Sequence, residues 1–394
     1  MTQTEMIPMR NSDLVELAAR LKTDQARKRD FVVPASQLRS EGGNLVLDGG
    51  AEPILTEDGV TTGDVVVRPS ARMIGQAASR LGIPVKYLRT LHESAGAPDL
   101  LALFDENVNT WLSRDTRSFL LRTFEYADQT EHYGRAMLSD RFGIIDNLDV
   151  LMAVLEAIRS TGVNIEVQGC DLSDEKMRLR VYSPDVAAMA PELLKGYRTP
   201  FEGPDGGGHG QDGLRDADGN LPVVWAGFDV ANSETGGGAF QITSRLLVKV
   251  CMNGLVQPAH RLREIHLGGK LEEGSIDWSQ DTARHQLDLI KSKTVDAVRA
   301  FLDPAFVASS IAELEAQAGA PVDQPTKTIE RVGSKLGWSE AEQDSILAMF
   351  IKGGQSTSGG VMQAVTAAAQ LVSDPDRAAE IEEQGIEAMV LASA

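Results

Sequence analysis

The chain has 394 residues, 42% of them hydrophobic but only 5% aromatic. That length fills two or three compact domains, with cores built on Leu, Val, Ile, Ala and Met. The formal net charge is -19. Such a surface repels a phosphate backbone on average, which argues against a general nucleic-acid coat but leaves room for one local basic groove.

Cys170 and Cys251 are the two cysteines and form no CxxC, so neither a disulfide framework nor a structural zinc site is expected. Isolated thiols in apolar patterns fit buried free cysteines in a reducing cytosol. Met1 to Arg10 holds no apolar stretch of the signal-peptide kind, and no run of about 18 apolar residues occurs. A cytoplasmic protein with no membrane span is the expectation.

Residues 12–28 read as an amphipathic helix, with Leu14, Leu17, Ala18 and Leu21 on one stripe and a basic end at Lys22, Arg27, Lys28 and Arg29. Short strands are expected at Leu45–Leu47 and Val65–Val67, punctuated by turns at Gly49-Gly50 and Asp58-Gly59. Residues 70–112 read as helical. Within them Ala78, Gly82 and Leu88 have the spacing of a helix-turn-helix, which any short helical hairpin also shows.

Strands are expected at Ser118–Thr123 and Arg135–Leu138. Asp146 stands as N-cap to a helix over Asn147–Arg159, with Asp149 in its first turn. Val163–Cys170 and Met177–Tyr182 alternate as a β-hairpin. Residues 184–222, with the Gly-rich run 203–213, read as a long loop. Val223–Val230 and Ala239–Ile242 are strands joined through Asn232–Gly238. From Trp278 the pattern is helical. It includes a capping box at Ser339–Glu342, a helix over Val361–Leu371 after Gly359-Gly360, and a last acidic helix over Arg377–Leu391.

No motif here specifies a chemistry. Gly206–Gly210 and Gly236–Gly238 lack the Lys and helix start of a phosphate loop. His260, Glu264 and His266 lack metal-site spacing. Ser139, Asp140 and Asp146 have no neighbouring His and suit a turn and a cap. No catalytic residue, metal or cofactor is expected. The stretch 240–270 is the one locally basic part, with Arg245, Lys249, Arg261, Arg263 and Lys270 against Glu264 alone. If 244–256 is helical, Arg245, Lys249 and Asn253 form one polar stripe able to track phosphates. If it is a strand, the stripe disappears.

Two phrases combine polar, charged and Gly residues in a way that core packing does not require. They are Arg135–Asp149 (RAMLSDRFGIIDNLD) and Val250–Val256 (VCMNGLV). With Leu81–Tyr87 (LGIPVKY), Asn109–Leu112 (NTWL), Asn232–Gly236 (NSETG) and, more weakly, Thr357–Thr366, they resemble the phage/plasmid-like protein family known as domain of unknown function 932. The resemblance implies a setting in phage or plasmid replication or recombination, within a bacterial host, and carries over no catalytic residue. The order of central elements is also similar to that of phage single-strand annealing proteins. Those form rings or filaments and hold single-stranded DNA in a basic groove.

The expected fold is α+β: a mostly helical region 1–112, a central antiparallel-sheet domain 113–275 and an acidic helical domain 276–394. The expected function is an oligomeric DNA-transaction accessory that binds or anneals single strands. Arg245, Lys249, Asn253, Arg261 and Arg263 would be its nucleic-acid contacts, and the acidic segment Glu380–Glu387 would face partners or restrain non-specific binding. A structural assembly protein, or an enzyme with its site under 184–222, are the alternatives.

Overall fold

A computed structural model of the chain describes residues 7–50, 54–56, 59–61, 63–94, 96–126, 131–197, 200–201, 223–248, 253–264, 274–275 and 280–394. Strand β1 (Met9–Ser12) leads into helix α1 (Leu14–Arg27), which Asp13 and Glu16 open with a reciprocal capping box. Then come β2 (Lys28–Pro34), β3 (Leu38–Glu41), β4 (Asn44–Leu47), β5 (Ile54–Thr56), β6 (Gly59–Thr61) and β7 (Val65–Pro69). Three helices follow, α2 (Ala71–Leu81), α3 (Val85–Glu93) and α4 (Pro98–Leu112). The hairpin β8 (Ser118–Glu125) and β9 (Glu131–Ser139) precedes α5 (Asn147–Thr161). A run of strands follows: β10 (Glu166–Leu172), β11 (Met177–Met189), β12 (Val223–Asn232), β13 (Phe240–Val248), β14 (Asn253–Glu264) and β15 (Gly274–Ser275). The rest is helical: α6 (Gln280–Phe301), α7 (Pro304–Ala318), α8 (Pro325–Leu336), α9 (Glu340–Gly353), α10 (Ser358–Ala369), α11 (Pro375–Glu383) and α12 (Gly385–Ser393).

The fold is α+β. One sheet is antiparallel, in the order β1-β10-β11-β12-β13-β14. The other runs β15-β2-β8-β9-β7-β4-β3 and is antiparallel except where β7 lies parallel to β9. Residues 1–112 hold more strand than periodicity suggests, because their strands are short and pair with distant ones. Thus β1 joins β10, β2 joins β8 and β7 joins β9.

Three large apolar cores follow from this layout, beside a small cluster of Val32, Leu120, Ala136, Leu138 and Ile144. Leu17, Val150, Val154, Leu179, Val181, Phe228, Ile242 and Leu246 fill the space between the first sheet and its helices. Met73, Ala78, Leu88, Phe104 and Leu121 seat α2, α3 and α4 on the second sheet. Ile329, Trp338, Ile346, Phe350, Val365 and Ile381 form a separate core within the C-terminal helices. Each such side chain contributes about 1.5–3 kcal/mol by leaving water. The hairpin α2–α3 turns at Gly82, whose φ of 73° is the left-handed conformation that glycine adopts without strain.

Three expectations change. Residues 184–189 extend β11 rather than opening a loop, with Ala187 opposite Trp225 and Met189 opposite Val223. Pro184 sits where the register shifts between Ser183 and Ala187, a bulge that excuses its missing N–H. Leu193, Leu194 and Tyr197 beyond are buried, while 202–222, including 203–213, lie outside the described residues. The acidic C-terminal segment is two helices, α11 and α12, separated at Gln384. Gly359 and Gly360 belong to α10, which Thr357 caps.

Asp146 stands at the N-cap of α5 but its carboxylate makes no cap bond. It accepts instead from Arg122 Nη2 at 2.7 Å and pairs with Lys28 Nζ at 3.1 Å. The first amide of α5, on Asn147, donates to Glu234 Oε1 at 2.6 Å. Glu234 reaches there from the β12–β13 loop and also pairs with Lys28 at 2.7 Å and with Arg135. Arg122 bonds Asp30 and the Glu234 carbonyl, and Arg135 lies 4.2 Å over the Phe124 ring. Three cations and three carboxylates from both sheets thus close one buried knot. Burial alone would raise the Glu234 carboxyl, but Lys28, Arg135 and Arg122 hold it well below the usual range.

Removing Glu234 takes the carboxylate from Arg135 and one of two from Lys28, leaving a charge uncompensated in the interior. Glu234→Gln is therefore expected to lower unfolding free energy by about 3 kcal/mol or more at neutral pH. A depressed carboxyl contributes stability above its unfolded pKa and loses it as pH falls. The deficit should shrink as pH drops below 4.5, the ordinary glutamate value. Urea titrations of both proteins at pH 7 and pH 4 check this; an equal deficit at both would refute the electrostatic account.

Candidate nucleic-acid interface

The first sheet has two unlike faces, because β11 reads Met177-Arg-Leu-Arg-Val-Tyr182 and side chains alternate along a strand. Met177, Leu179 and Val181 enter the core. Arg178, Arg180 and Tyr182 take the opposite face. Register carries that face across the sheet. Arg178 stands beside Ala231 and, through it, Gln241; Arg180 beside Asp229 and then Thr243, with Arg261 beyond; Tyr182 beside Gly227 and then Arg245. Trp225 stacks on Tyr182 with ring centroids 5.0 Å apart and planes at 20°. The face therefore carries four arginines and one aromatic pair.

Its cations are all paired, and Arg180 and Arg245 are buried. Arg245 is 2% exposed and donates to Asp229 at 3.0 Å and to Glu382 at 2.8 Å. Strand β14 passes it with Gly254, since a Cβ there would run into the Arg245 guanidinium. This gives the glycine of the Cys251–Leu255 phrase a structural reason. Arg180 pairs with Asp171 and donates to Asn11 at 2.6 Å. Arg261 donates to Thr243 at 3.0 Å and to Glu383 at 2.9 Å, and Arg178 to Asp376 at 2.7 Å.

Of the expected contact residues, the sheet brings Arg245 and Arg261 together on one face. The helical stripe does not exist, because Phe240–Val248 is a strand. Arg245 is a buried ion-pair member and not a free phosphate ligand. Asn253 pairs with Val248, three positions along the register from Arg245. Arg263 lies opposite Gln241. The side chains of Asn253 and Arg263 lie outside the described residues, as do Lys249 and Cys251. Arg178, Arg180, Tyr182 and Trp225 were missed, although the period-two placement of Arg178, Arg180 and Tyr182 within an apolar strand was a readable signal.

Within the acidic segment, Glu382 and Glu383 turn onto the arginine face, because α11 lies against β14. Among the other motifs, Ser139 Oγ accepts from the Arg141 amide and closes a turn. His260 meets Phe306 edge-on at 5.0 Å, while the side chains of Glu264 and His266 lie outside the described residues. Among the described residues no group of three or more His, Cys, Asp or Glu could hold a metal ion. No described helix is long and apolar enough to cross a membrane. Cys170 is a buried free thiol, pushed up to about 11 by burial. A cleft of about 570 Å³ lies elsewhere, between the α2–α3 hairpin and Asp174, whose carboxyl accepts from the Tyr133 hydroxyl at 3.1 Å.

Burial pushes the Asp229 carboxyl up to about 6; Arg245 pulls it down, and Glu382 adds to the rise. A raised carboxyl stabilises the fold fully below its unfolded pKa, and that contribution is lost as pH rises through the folded value. Between about pH 4 and pH 6 the loss is on the order of 2 kcal/mol. Asp229→Asn, which stays neutral, is expected to gain on the wild type by that amount across the window. Paired chemical denaturations at pH 4 and pH 7 measure it; parallel stability curves would refute it.

Comparison with known proteins adds no relative: no protein-family model matches the chain, and neither a curated protein nor a solved structure matches it.

Proposed function

We propose that this chain is a phage- or plasmid-associated accessory of DNA transactions, acting in a host cytosol, which binds single-stranded DNA as an oligomer on the arginine face of its six-stranded sheet. The observation that carries the reading is the alternation of Arg178, Arg180 and Tyr182 on β11, joined across the sheet by Arg245, Arg261 and the stacked Trp225. Single-strand binders combine cations that track the backbone with aromatic rings on which bases stack, each base contributing about 1–3 kcal/mol. The chain as a whole repels DNA, so such binding must be local and short-ranged. The resemblance of Arg135–Asp149, Asn232–Gly236 and Cys251–Leu255 to the phage/plasmid-like family supports the same setting.

Arg178 and Arg261 keep some exposure, so they can be changed without opening the interior. Wild-type protein is expected to retain a labelled oligothymidine at low salt, with affinity falling as salt rises. The double variant Arg178→Gln/Arg261→Gln should flatten the log–log salt slope by about 1.4, or about 0.7 per lost phosphate contact. Trp225→Ala should weaken binding roughly 5- to 100-fold, the range of one stacked base. Fluorescence anisotropy measures both, with sizing in parallel. Absence of salt-sensitive retention by the wild type would sink the reading in favour of an assembly protein.

A further inference from the structure

We infer that α11 is a built-in competitor of nucleic acid: its carboxylates occupy the arginine face in the places phosphates would take, and a single strand binds by displacing it. The inference rests on the single-strand reading above and adds how the site is controlled. Asp376, Glu382 and Glu383 project from one helix to Arg178 on β11, Arg245 on β13 and Arg261 on β14, at 2.7, 2.8 and 2.9 Å. Seven helical residues span about 10 Å. Three strand spacings span about 14 Å. The helix therefore lies across the strands and delivers its negative charges one strand after another, much as a polyanion crossing the sheet would.

The seam beneath α11 is built to part. It is polar and not fully packed: a cavity of about 230 Å³ is lined by Arg10, Arg180, Arg245, Ala378, Ala379 and Glu382. A second groove of about 540 Å³ runs along Lys176, Arg178, Asp376 and Glu380. Within the seam, Arg10 Nη1 and Arg245 Nε are buried without a partner. Unpaired buried donors destabilise the closed arrangement and reward an acceptor-rich replacement.

On its other side α11 is anchored to its own unit. Ile381 enters the C-terminal core, Arg377 bonds both oxygens of Glu342 at 2.7 and 2.8 Å, and Trp338 donates to Gln384 at 2.6 Å. Its neighbours α10 and α12 stay on the sheet through Met362 and Met389, so what parts from the arginines is α11 with its carboxylates and not the whole C-terminal unit. Glu380 pairs with Arg377 and not with the sheet, which makes it an internal control.

The test compares oligothymidine binding by the wild type, Asp376→Asn/Glu383→Gln, the triple variant that adds Glu382→Gln, and Glu380→Gln. The double variant leaves the buried Arg245 paired with Glu382 and Asp229, so it keeps its fold. It is expected to bind about threefold to tenfold more tightly, the triple variant more tightly still, and the control as the wild type. Equal or weaker binding by the folded double variant, beside a wild type that binds, overturns the competitor and leaves the single-strand reading standing. If neither wild type nor variants bind at low salt, both fall.

Discussion

Burying six charges in one place constrains this chain more than any apolar contact. Desolvating an ion costs several kcal/mol, which only close pairing and full hydrogen bonding offset. Glu234 meets that condition from a loop: it takes two cations and the leading amide of α5 while its carbonyl takes a third cation. Satisfying it fixes where β2, β8 and β9 of one sheet stand against the β12–β13 loop of the other. Asn232 completes the join by donating to Asn147 Oδ1 and the Ile145 carbonyl. The two sheets share no ladder, so this knot and the helices around it set their relation.

The arginine face follows the opposite rule. Its pairs are spread over a seam lined by cavities instead of gathered round one carboxylate. Met362 and Met389 fix α10 and α12 in the apolar core beneath, where every buried side chain contributes to closure. The charged seam holds α11 on the arginines only as well as its ion pairs compete with water and salt. The same residue types therefore act as a fixed joint at Glu234 and as a releasable one at Glu382.

Much of the fold was legible because local rules and tertiary structure agree. The capping box at Ser339 and the hairpin of Val163–Cys170 with Met177–Tyr182 both mark real elements. The short early strands were harder. Residues in β2 and β3 show little periodicity of their own and are strands because distant partners receive them. Asp146 shows a different limit: its sequence position is that of a cap, yet Arg122, 24 residues away, takes its carboxylate. The candidate site was half legible. Local basicity pointed to Arg245 and Arg261, while Arg178 and Arg180 sit among acids in sequence and join them only through strand register. Nor could composition reveal that Glu382 and Glu383 neutralise the very residues that made 240–270 look basic.

That neutralisation bears on how an acidic protein could use a basic surface. Exposing Arg245 to nothing would leave a buried guanidinium beside Asp229 alone, at a cost comparable to breaking any interior pair. Exchanging a carboxylate for a phosphate keeps the guanidinium paired throughout, because each can accept two N–H bonds from the planar guanidinium fork. The energetic difference between the two states then reduces to small terms: the unpartnered donors that a phosphate could satisfy, the ordering of the strand, and the salt released from it. Small differences between two well-paired states are what allow a seam to switch, and the arrangement of α11 over β11, β13 and β14 supplies both states with the same cations.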